Sequence, residues 1–173
     1  MHQTPSSVRA SQSDTAPQLG GVQCIGFIDR IYTGALALLV EARNYFAYQE
    51  PGDVKGLSDS ARLLVSQETM RITCRLTQCM AWLFAQKAVQ NGERPPEWAL
   101  GEEHRLGGHS VCLEERWHDN PNLPAKIHDL QARSLALFQR IDRLDRQLRN
   151  PAAPGGPGAG GAVLVNWGAL RSS

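Results

Sequence analysis

Residues 68–88 read ETMRITCRLTQCMAWLFAQKA, a run with no glycine or proline. Ile72, Leu76, Cys79 and Leu83 recur at intervals of three and four, and Val65 and Thr69 extend the stripe backward, the spacing of one face of an α-helix. A polar line of Glu68, Arg71, Arg75 and Gln78 runs beside it. Met80 to Ala85 is apolar on every side, so this stretch asks for cover from more than one neighbour. With Ser58 as N-cap and Asn91-Gly92 as a left-handed stop, the helix covers about 34 residues and roughly 50 Å.

Upstream, Ile28, Ile31, Ala35, Leu38, Ala42 and Tyr45 alternate the same spacings and predict a first helix over 27–48. Pro51-Gly52 breaks that pattern, leaving a connector to Gly56. Downstream, residues 92–122 hold Pro95-Pro96, Gly101, Gly107-Gly108 and Pro121 and read as one long loop, which Trp98, Leu106, Val111, Cys112, Leu113 and Trp117 pin to the body. A third helix opens at Pro124 and carries Ile127, Leu130, Ser134, Leu137, Ile141, Leu144 and Leu148. Residues 1–22 are polar and Pro/Gly-punctuated, and 150–173 form a Gly/Pro-rich linker with an apolar end; both read as disordered tails. The fold expected is all-α: a three-helix bundle over 23–149, with a long connection between its second and third helices.

The composition narrows the function classes. The 173 residues carry a formal net charge of +1, which supplies no broad field for general nucleic-acid or membrane-surface binding. The longest apolar runs, Ala35–Val40 and Met80–Ala85, fall far short of the roughly 20 residues that a bilayer core requires. No secretory pattern opens the chain, so a cytoplasmic protein is expected. Cys24, Cys74, Cys79 and Cys112 form no CxxC pair and read as reduced small hydrophobes. No Walker loop, GxGxxG after a strand, HExxH or GxSxG occurs, so the corresponding catalytic classes have no foothold, and no cofactor is expected.

Three clusters weigh a sharp reading against a plain one. His104, His109 and Cys112 are zinc-ligand types, but their spacing matches no closed site and a packed loop is preferred. Glu68, Arg71 and Arg75 form either a solvated ion-pair ladder or a partner surface. The third helix sets Lys126, Arg133, Arg140, Arg143, Arg146 and Arg149 against three aspartates; a solvated face is the plain reading, and docking of acidic protein or nucleic acid through Arg140 and Arg143 the sharp one. Gly107-Gly108 could aim N–H groups at an anion, although such a pair more often makes only a turn.

Four stretches carry a family likeness: ARNYF at 42–46, the 68–88 run, HRLGGHSVCL at 104–113 and LFQRIDRLDRQL at 137–148. Together they resemble the alphaproteobacterial regulator-of-CtrA-degradation (RcdA) family over residues 25–149, with the ETMR-x-T-x-RL-x-Q run leading into AWL as the most specific part. The resemblance implies a three-helix bundle that forms a homodimer and has no enzymatic activity. It implies an adaptor that joins the ClpXP protease with a response regulator and a cyclic-di-GMP-binding protein, delivers CtrA and other cargo, and gathers at a cell pole. No catalytic residues carry over; Glu68, Arg71 and Arg75 are the matching polar positions.

Two expectations are this chain's own. Val163, Leu164, Val165, Trp167, Leu170 and Arg171, tethered by 150–161, form a docking peptide for the protease or a priming partner, or else fold back on the bundle. A second copy or the long loop covers Met80–Ala85. Three classes stay open: a proteolytic adaptor, a DNA-associated regulator using the third helix, and a metal-dependent or anion-binding enzyme using the loop around His104–Cys112.

Overall fold

The computed structural model describes residues 20–114 and 123–150, with side chains from residue 26 onward. Helices α1 (Gly20–Tyr48), α3 (Asp59–Gln90) and α6 (Ala125–Arg149) build the bundle, and the single turns α2 (Glu50–Asp53), α4 (Pro96–Ala99) and α5 (His109–Cys112) sit in the connections. Among the described residues the secondary structure is entirely helical. The three-helix, all-α expectation holds, and the long connection lies where the breakers put it.

Local chemistry sets the ends of α3. The Ser58 side chain accepts from Ala61 N–H at 3.3 Å, as an N-cap does. At the other end Gly92 takes φ +74°, with Gly92 N–H donating to Val89 O and Glu93 N–H to Ala88 O, which satisfies the last free carbonyls. The Pro51-Gly52 connector is instead a helical turn, because Tyr45 OH donates to Asp53 at 2.8 Å and Thr69 donates to Glu50 at 3.3 Å, clamping the turn to α1 and α3. α1 also begins earlier than the heptad predicted, at Gly20.

The pairings fix the helix directions. Glu68 meets Gln131 and Trp82 meets Asp145, so α3 and α6 run parallel. Asp29 pairs with Lys87, and Tyr32 packs edge-on against Phe84, so α1 runs antiparallel to α3. A parallel pair joined end to start needs a return path along the bundle, about 40 Å at 1.5 Å per residue. Residues 91–124 make that trip, which is why the connection is so long. It contains α4, α5 and a 3-10 turn at Glu102–His104 and is far from structureless, contrary to the unbroken loop expected.

Two apolar clusters fill the centre. One gathers Ile28, Ile31, Leu83, Trp82, Leu106 and Phe138; the other gathers Leu38, Tyr45, Val65, Ile72, Leu76 and Ile127. Leu106 and Cys112 lie in the first, so the connection contributes to the core. Of the other expected pins, Trp98 is half-buried, Val111 and Leu113 are exposed, and Trp117 lies outside the described residues.

Candidate functional site

The polar line on α3 is not a solvated ladder. Glu68 is 1% exposed and Arg75 0%. Burying charge in an apolar interior is costly without partners, and here a hydrogen-bonded network supplies them, with Arg71 Nε left without one. Glu68 accepts from Arg71 and from Gln131 Nε2, and Arg71 reaches on to Glu114 at 2.8 Å. Arg75 donates through Nε to Cys112 O at 2.6 Å, through one terminal nitrogen to Gln131 Oε1, and through the other to Glu114 O at 3.0 Å. The correction is one of width: Val65, Ile72, Leu76, Cys79 and Leu83 are buried as the stripe foretold and Thr69 is half-buried, but Glu68 and Arg75 beside them are buried as well.

This network anchors the end of the return connection, and two more anchors lie along it. Asp145, buried on α6, accepts from Trp82 Nε1 at 2.8 Å and from Arg149 Nε at 3.0 Å, while Arg149 also donates to Leu100 O at 2.7 Å. His109 bonds Asp142 at 2.8 Å, and Asp142 pairs with Arg146 at 2.6 Å. As the connection advances from Leu100 to His109, its α6 partners retreat from Arg149 to Asp142, and the next stretch, Cys112 to Glu114, lies on Arg75 and Arg71. The connection therefore lies antiparallel along α3 and α6.

The candidate zinc ligands are sent to different places. His104 lies tilted at 46° against Trp98 with ring centroids 3.8 Å apart, His109 faces Asp142, and Cys112 Sγ lies 3.6 Å from Cys74 Sγ. Among the described residues no group of three or more His, Cys, Asp or Glu could hold a metal ion. Gly107 and Gly108 pack closely: a Cβ on Gly107 would lie 3.1 Å from Gln78, and one on Gly108 3.2 Å from Cys112 Sγ.

The basic stripe of α6 is largely engaged within the chain. Arg133 and Lys126 both pair with Glu41 and Asp129, Arg146 with Asp142, and Arg149 with Asp145. Arg140 is exposed but lies over the Phe27 ring at 5.2 Å, and Arg143 is exposed. The DNA-associated reading loses most of the free charge it needed. Val163, Leu164, Val165, Trp167, Leu170 and Arg171 lie outside the described residues.

What sequence reasoning missed is a surface. Leu63, Ser66, Gln67, Met70, Thr77, Ala81 and Phe84 align on the outer side of α3, and all are exposed, Met70 at 72% and Phe84 at 55%. No charged residue lies on this line for about 32 Å. Leu63, Met70 and Phe84 are its large apolar side chains, which makes this line a candidate contact surface. The signal was present in the all-round apolar Met80–Ala85 stretch, of which Met80, Trp82, Leu83 and Ala85 are buried while Ala81 and Phe84 remain open.

Comparison with known proteins follows the same lines. The family described as a protein of unknown function, DUF1465, matches residues 24–163. Among solved structures, RcdA from Caulobacter crescentus CB15 is similar with a TM-score of 0.56 and 33% sequence identity, over 70% of this chain and 89% of that one. No curated protein matches.

Proposed function

Because the chain belongs to the RcdA family, matched over residues 24–163, we propose that it is a non-enzymatic adaptor that helps deliver cell-cycle regulators such as CtrA to the ClpXP protease. In this reading it acts in the cytoplasm with a response regulator and a cyclic-di-GMP-binding protein as co-adaptors, is recruited to a cell pole, and works as a homodimer. The observation that carries the reading is the likeness to RcdA, 33% identical over 70% of this chain; the exposed, uncharged face of α3 supports the homodimer part of it. Among the described residues no helix is long and apolar enough to cross a membrane.

A second copy covers the α3 face, and cargo or protease contacts are left to other surfaces. Residues 150–161 tether the apolar segment 163–171. A Gly-rich linker of that length has a root-mean-square reach of about 20 Å, which holds the segment at an effective concentration near millimolar, about the level at which weak peptide docking becomes useful. The buried Glu68 and Arg75 serve partner binding only indirectly, by fixing the loop that Arg71 and Glu114 border.

Reconstituted ClpXP degradation of CtrA, with both co-adaptors present, tests the assignment. The full chain should accelerate degradation, and a chain ending at Asn150 should lose most of the acceleration while keeping its helicity. No acceleration by either form overturns the adaptor reading. Equal acceleration by both removes the tail from it.

A further inference from the structure

Three of the four cysteines have described side chains, and two of those meet across an interface that the fold otherwise closes with hydrogen bonds. Cys74 sits on α3 and Cys112 at the end of α5, 38 positions later, and Cys112 donates its S–H to Cys74 Sγ at 3.6 Å. Backbone on both sides fixes Cys112: its N–H donates to Gly108 O at 2.8 Å, and its carbonyl accepts from Arg75 Nε at 2.6 Å. Gly108 clears the space around the pair, since a Cβ there would lie 3.2 Å from Cys112 Sγ and 3.7 Å from Cys74 Sγ. Cys74 is half-buried, at the edge between the loop and the uncharged face of α3, whereas Cys79 and Cys112 are buried.

We propose that Cys74 and Cys112 form an oxidisable dithiol, a modification site for hydroperoxides, whose product is a disulfide that ties α5 to α3. The inference rests on the fold and is independent of the adaptor reading. In the first step the Cys74 sulfur, as thiolate, attacks the peroxide. An S–O bond forms, the O–O bond breaks, and the departing hydroxide or alkoxide takes from solvent the proton that the thiol released, leaving as water or an alcohol and giving a sulfenic acid. In the second step the Cys112 sulfur attacks Cys74. The S–S bond forms, the S–O bond breaks, and the departing hydroxide takes the Cys112 proton and leaves as water. Two thiols lose two electrons and the peroxide gains them.

The geometry assigns the order of events. Of the cysteines whose side chains are described, only Cys74 is open to an oxidant dissolved in water, and thiol oxidation follows exposure. Burial, together with the hydrogen bond to Cys74, pushes the Cys112 thiol up to about 12, so it rests protonated until its neighbour has been oxidised. Closing the pair requires the sulfurs to approach from 3.6 Å to about 2.05 Å. The bond would hold the stretch that displays Val111 and Leu113 at the surface, both of them exposed.

The test uses the full chain, reduced, freed of reductant and exposed to a small excess of hydrogen peroxide. Digestion without reductant followed by mass spectrometry should show the Cys74 and Cys112 peptides joined with loss of two hydrogens, and dithiothreitol should release them. Amide exchange across 109–113 should slow at least threefold in the oxidised form. With Cys112→Ser, dimedone should trap a sulfenic acid at Cys74; with Cys74→Ser, Cys112 should stay alkylatable after denaturation. A link through Cys24 or Cys79, a Cys74–Cys74 link between copies, a stable sulfenic or sulfinic Cys74 in the native chain, or two intact thiols would each overturn the proposal. The native-chain map needs no variant, so a poorly folding serine mutant leaves the outcome decidable.

Discussion

At the scale of single residues, Arg75 has the largest structural burden. It is fully buried and holds two loop carbonyls and the Gln131 amide oxygen. Arg75→Met keeps much of the volume and removes every donor, leaving the buried Cys112 carbonyl and Gln131 amide oxygen short of a donor at about 1–3 kcal/mol each, and the part-buried Glu114 carbonyl at less. We expect the unfolding free energy in urea to fall by about 3 kcal/mol or more, with exposed Arg143→Met within about 0.5 kcal/mol of the parent. Glu41 offers a pH handle. Hydrogen bonds from Arg133 and then Lys126 hold its carboxyl down from the ordinary 4.5 to about 2. A carboxylate lowered on folding stabilises the native state fully above its unfolded pKa, and that contribution is lost as pH falls through the folded one. Urea midpoints should therefore drop between about pH 4.5 and 2 in the parent, and less steeply in Glu41→Gln; parallel profiles would refute the assignment. The residue scale is also where the sequence misleads most. Glu68 and Arg75 read as solvated because charged side chains are rarely buried without partners, and the partners, Gln131 and the carbonyls of Cys112 and Glu114, lie 37 to 63 positions away.

At the scale of elements, helical periodicity was legible and direction was not. Ile127, Leu130, Ser134 and Ile141 are buried as the heptad on α6 foretold, while Leu137, Leu144 and Leu148 are only half-buried, and Phe138, Asp142 and Asp145 share the interior. A stripe identifies a face to within a residue or so, and a rotation of that size exchanges one line of neighbours for the next. Nothing in a stripe says whether two helices run parallel. The one clue was the length of the connection, since antiparallel helices need only a few residues between them. That connection depends on its glycines unequally. Gly108 has φ +75° and faces the Cys112 sulfur, whereas Gly107 faces only the end of the Gln78 side chain. Gly108→Ala should lower stability by about 1–2 kcal/mol, the cost of a left-handed conformation for an L-residue. Gly107→Ala should stay within about 0.5 kcal/mol, because Gln78 can move aside. Thermal melts of the two variants decide this, and equal losses would mean that crowding, not backbone conformation, sets the requirement.

At the scale of the whole molecule, the question is what covers α3. The return connection lies against one flank of this helix, where Arg71 and Arg75 hold Glu114, and α1 lies against another, where Tyr32 meets Phe84. Between them Leu63, Met70, Ala81 and Phe84 remain open. Packing apolar side chains against a partner of the same chemistry removes area from water at roughly 25 cal/mol per Å², whereas a carboxylate placed there must be desolvated without a cation on the same line. Met70→Glu and Phe84→Glu together should therefore convert a dimer to a monomer at micromolar concentration by light scattering. Their helical signal should stay unchanged, because both side chains are exposed and Phe84 loses only its edge contact with Tyr32. Substituting Leu36 and Val40, exposed on α1 and bordering a groove with Glu41 and Lys126, provides the control. Glutamates there should leave the mass unchanged. If the α1 pair dissociates the dimer and the α3 pair does not, the covered face is α1, and the open line on α3 is left for cargo or protease; if neither variant changes a dimeric mass, the contact lies outside both helices.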